Sequence, residues 1–201
     1  MARARWVVSV EGLGVPARAA VLKSLQHRLG LVMADNDRHE AQPFGWLLHR
    51  MHGLTKVPPR ADALWCGSWL MHVPSHAPAL ARLHRDLAAV LADQVPGGPR
   101  GTRHLMVWLD ADPHEAFDAV LHCPEVSSSV REVGLQSLRE AQEAITRAVN
   151  DAAAGDQAGL SSPFDVQIVR VPCPPFAADN PVTLHKLLDL VEDGCLKAMR
   201  G

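Results

Sequence analysis

Val7-Val8-Ser9-Val10-Glu11-Gly12-Leu13-Gly14-Val15-Pro16-Ala17-Arg18-Ala19-Ala20-Val21-Leu22-Lys23 is the stretch whose reading decides the fold. Its opening is apolar and rich in β-branched residues, which predicts a short strand over Arg5 to Val10. Glu11-Gly12 marks the turn. Apolar residues then recur at helical spacing, at Val21, Leu22, Leu25 and Leu29, and predict a helix over Ala17 to Leu29. Gly30 stands where a helix terminus calls for glycine.

Outward from this unit the pattern repeats. Leu31 to Ala34 is a brief apolar strand, and Asp35 to Gln42 is a polar loop. Phe44 to His52 reads as a helix closed by Gly53, and Val57-Pro58-Pro59 as a break. Ala61 to Val73 is apolar enough for a buried strand or a buried helix, and periodicity does not decide between them. Pro78 to Val95 is an amphipathic helix, followed by the loop Pro96-Gly97-Gly98-Pro99-Arg100-Gly101. His104 to Leu109 is a buried strand. Asp112 caps the next helix, with Pro113 in its first turn and Glu115 placed to reach back. Val130 to Ala152 is a long helix, and Asp151 to Ser162 a small, polar, flexible segment. Val166 to Val171 is the last strand. Asn180-Pro181 opens a helix running to about Met199.

Strands separated by helices predict a three-layer α/β/α fold. Its sheet is mainly parallel, with four or five strands, within a single domain over residues 1–201. In such sheets ligands sit beyond the carboxyl ends of the strands. The turn after Val10 lies on that edge.

Composition narrows the function classes. The chain has 201 residues, 47% of them hydrophobic, and a net charge of −2. That fits one domain with a full core. The 20 basic residues are scattered, which gives no electrostatic footprint for nucleic acid. No apolar run reaches the roughly 20 residues that span a bilayer, so no membrane partner is expected. Met1-Ala2-Arg3-Ala4-Arg5 leads straight into a strand, so no signal or transit peptide is expected. Cys66, Cys123, Cys173 and Cys195 are far apart, with no Cys-x-x-Cys. Reduced thiols and an intracellular site, cytoplasmic or organellar, follow as expectations. His49 and His52 have helical ligand spacing but no acidic or cysteine neighbour in sequence, so no metal site is assigned.

The turn after the first strand has the layout of a phosphate-cradling loop: Gly, four residues, Gly, Lys, then Ser or Thr. Laid without a gap, that pattern falls on Gly12, Ala17, Arg18 and Ala19. The register survives while the second glycine, the lysine and the metal-binding hydroxyl are replaced.

The organisation resembles the thymidylate kinases, within the nucleoside and nucleotide kinases of the phosphate-loop class. That family opens with a strand and Glu-Gly-Leu-Asp-x-x-Gly-Lys-Ser/Thr-Thr. This chain has Glu11-Gly12-Leu13-Gly14-Val15-Pro16-Ala17-Arg18-Ala19-Ala20. Arg103-His104-Leu105-Met106-Val107-Trp108-Leu109-Asp110-Ala111-Asp112-Pro113-His114-Glu115-Ala116 is similar to the family's Pro-Asp-Leu-Val-x-x-Leu-Asp-x-Asp-Pro-Glu-x-Ala. Phe44-Gly45-Trp46-Leu47-Leu48 is similar to its Ile-Gly-x-Leu-Ile helix start. The resemblance implies a nucleotide kinase fold, ATP and magnesium as cofactors if the chain is active, and self-association through helices. It places Gly12, Leu13, Gly14, Ala17, Arg18, Ala19 and Ala20 at the cofactor's phosphates, with Arg18 as the residue that would act in catalysis.

The departures bear on activity. Arg18 keeps a positive charge, but its planar head is not a lysine point charge. Ala19 and Ala20 cannot ligate magnesium. Ala17 adds a methyl where the family has glycine. Pro16 removes one N–H from a loop that works by offering N–H groups. The family's acceptor arginine has no counterpart at Gly67-Ser68-Trp69-Leu70. Its lid arginines have none over Leu121 to Val130, where Arg131 and Glu132 only follow. Arg38 is the nearest candidate for its Phe-Pro-x-Arg loop, and a third strand is in doubt. Glu11 and Gly12 also suit a tight turn without any ligand. Arg18 suits either a bound anion or water. Asp110 and Asp112 suit magnesium, or in the case of Asp112 a helix cap. The leading expectation is a non-catalytic scaffold or interaction protein with at most weak nucleotide binding, a protein partner or second copy, and a place in a larger assembly. The alternatives are an active kinase, ATP and dTMP giving ADP and dTDP, and a nucleotide sensor that binds without turnover.

Overall fold

The computed structural model describes residues 5–12, 14–34, 53, 56–58, 61–65, 102–112, 114–116, 118, 139–140, 143, 166–174 and 177–201. Their framework is a five-stranded sheet. Its strands are β1 (Arg5–Gly12), β2 (Val32–Met33), β3 (Ala63–Trp65), β4 (Thr102–Asp110) and β5 (Val166–Pro172). The order across the sheet is β2-β3-β1-β4-β5, and every pairing is parallel. This is the parallel α/β class that the alternation of strands and helices predicts.

β-Branched and apolar runs form these strands because both faces of the sheet are withdrawn from water. On one face Val8, Val10, Leu64, Leu105, Val107, Leu109 and Val171 are buried with Ala17, Val21, Leu22 and Leu25 of α1 (Val15–Leu29). Leu187, Val191 and Cys195 of α2 (Pro181–Arg200) join the same core. On the other face Val7, Ala63 and Trp65 pack with Ala34 and Val57. The segment 61–73, left between strand and helix by its apolar run, contributes β3, set between β1 and β2. A third strand therefore exists in this chain.

The helix ends follow local chemistry. Gly30 closes α1 in the left-handed conformation, φ 66°. His27 and Arg28 occupy its last turn, where cations suit the helix dipole. Arg28 Nη1 reaches across to Asp189 at 3.0 Å and Glu192 at 2.6 Å on α2. These groups are exposed, so the apolar core rather than the ion pairs sets how the two helices lie. The start of α1 differs from expectation. It opens at Val15, two residues ahead of Ala17, because Pro16 fits a first helical turn and Gly14 occupies the cap position. Gly53 and Lys56 both have helical backbone, where a stop at Gly53 is expected.

Asn180 caps α2 as its sequence position predicts. Its side-chain oxygen accepts from Val182 N at 3.0 Å and Thr183 N at 3.2 Å. Asn180→Ala is expected to lose about 1 kcal/mol of stability. Urea denaturation should show a lower midpoint at unchanged slope. Among the described residues, no helix is long and apolar enough to cross a membrane.

Candidate functional site

The strand order creates a topological switch. The chain leaves β1 for β2 on one side of the sheet and leaves β4 for β5 on the other. The connections from their carboxyl ends run to opposite sides there, the usual place for a ligand crevice. Gly12, Gly14 and the amino end of α1 stand at this edge beside Asp110 to Asp112 and the end of β5.

Gly12 ends β1 with φ 108°, a conformation L side chains rarely adopt. A Cβ on it would run into the Leu109 carbonyl oxygen of β4, with the carbonyl carbon at 3.0 Å. Gly14 is equally confined. A Cβ there would lie 2.6 Å from Cys173 Sγ and 2.9 Å from Leu109 Cβ. Both glycines are thus required by the neighbouring strands. Gly12 and Gly14 are set against Leu109 at the end of β4 and Cys173 just past β5.

Ala17 is 2% exposed and packs into the core, and its N–H donates to Gly14 O at 3.1 Å. Ala19 and Ala20 are half-buried on α1, with no polar atom to offer. Leu13 lies outside the described residues, as do Arg38, His49, His52, Gly67 to Leu70 and 121–132. Arg18 is half-buried, and its Nη1 is buried without a hydrogen-bond partner among the described residues. Leaving a charged nitrogen unsatisfied is costly. The first turn of α1 also carries no acidic residue. An anion at this helix end would satisfy both the guanidinium and the helix dipole.

Asp112 acts as the sequence predicts for a cap. Its Oδ1 accepts from His114 N at 2.8 Å and Glu115 N at 3.3 Å, and its carbonyl accepts from Ala116 N at 2.8 Å. Asp110 is exposed at the end of β4, and its carbonyl accepts from Cys173 N at 2.8 Å. Glu11 is 5% exposed and faces away from α1, in one row with Trp108 and Arg170 by strand register. Among the described residues no group of three or more His, Cys, Asp or Glu converges on a metal position.

Sequence reasoning missed Cys173 and Leu109 as the floor of the turn. Only their place at strand ends signalled it. Burial pushes the Cys173 thiol up to about 11. Burial, then the charge of Glu192, pushes the Cys195 thiol to about 12. Neither forms a thiolate near neutrality, so both should resist a disulfide reagent at pH 8 until the chain unfolds. Mass spectrometry of the labelled peptides checks this. The native state also holds these protons above the ordinary thiol value of 9.0. Their contribution is complete below pH 9 and is lost as pH rises through about 11 and 12.

No protein-family model matches the chain. No curated protein matches it either. Among solved structures the chain is similar to a deoxyadenosine kinase from M. mycoides bearing the products dCMP and a flexible dCDP. The two share 9% identity at a TM-score of 0.48, over 96% of this chain and 99% of that one.

Proposed function

We propose that this chain is a catalytically degenerate relative of the thymidylate kinases. It keeps the strand, turn and helix as a scaffold, binds nucleotide weakly at most, and transfers no phosphoryl group. Its remaining role is interaction with a protein partner or a second copy.

The observation that carries this reading is where α1 begins. Only residues 13 and 14 separate Gly12 from a helix that opens at Val15. A loop that wraps phosphates needs several non-helical residues with free N–H groups. Here Pro16 has no N–H, and that of Ala17 already bonds Gly14 O. The positions that align with glycine, lysine and the metal-binding hydroxyls are already helical, in the first turns of α1 past Val15. Phosphoryl transfer depends on positioning and on neutralising charge, and this turn supplies little of either.

Arg18 Nη1, buried without a hydrogen-bond partner among the described residues, favours a second reading, a site that holds a nucleotide phosphate without turning it over. Calorimetry and thermal shift with ATP, dTMP and magnesium, singly and together, separate the two. A pure scaffold gives no saturable heat. A holding site gives heat that Arg18→Ala abolishes. Magnesium-dependent turnover at an ordinary kinase rate, roughly 1–100 s⁻¹, overturns both.

A further inference from the structure

We draw no further inference here: the strongest candidate, the Arg18 Nη1 at the amino end of α1, buried without a hydrogen-bond partner among the described residues, belongs to the site already described.

Discussion

Gly12→Ala is expected to destabilise the fold by about 3–5 kcal/mol, combining backbone strain with a steric collision. At φ 108° an L side chain is strained even in open space. The space at Gly12 is not open. The new methyl meets the backbone carbonyl of Leu109, which cannot rotate aside as a side-chain tip would. Relief requires β1 and β4 to part where Gly12 and Leu109 stand in register. Gly30→Ala is the control. Gly30 also has positive φ, 66°, but nothing lies within 4 Å of a Cβ there. It should cost only the left-handed strain, about 1–2 kcal/mol. Urea denaturation of both variants measures the difference. Equal losses would mean that the turn is not clamped to β4, and the account of the site would fall with it.

The same contrast shows what the sequence could disclose. Elements governed by local chemistry were legible. Gly30 stops α1 and Asn180 starts α2 because their conformations and side-chain bonds act within a few residues. β4 and β5 were legible because their apolar, β-branched runs have the length of buried strands. β3 was not. Ala63, Leu64 and Trp65 are all buried, so no alternation marks a strand. Their pairing with β1 and β2 made the choice, and pairing is a tertiary fact. The start of α1 was missed for a related reason. Pro16 suits a loop and a first helical turn equally well, and Gly14, at the cap position, is seated against Cys173. That contact joins residues far apart in the sequence. The lost side chains at Ala17 to Ala20 were plain in the sequence, while the shortening of the loop was not.

Restoring the missing side chains should therefore leave the chain inactive. In Ala17→Gly with Arg18→Lys and Ala19→Ser, the motif's glycine, lysine and hydroxyl all return. Turnover of ATP and dTMP with magnesium should still stay at least about 10³-fold below ordinary kinase rates. In barrier terms that gap is about 4 kcal/mol. The reason is geometric. The residues before position 17 would still be helical from Val15, Pro16 would still lack its N–H, and Gly14 would still be held between Cys173 and Leu109. Lysine and serine on a closed helix face act on a triphosphate only if the preceding loop has seated it. Ala17→Gly loosens the helix start by about 1 kcal/mol, short of what the gap in rate demands. Adding Pro16→Gly restores the N–H missing from the turn and tests whether backbone freedom can reopen the loop. If the triple variant turns over dTMP at an ordinary rate, loss of the loop's side chains was the defect and the helix start was no barrier. If only the quadruple variant gains activity, the closed turn is the barrier, and the order in which the chemistry must be rebuilt is loop first, lysine second.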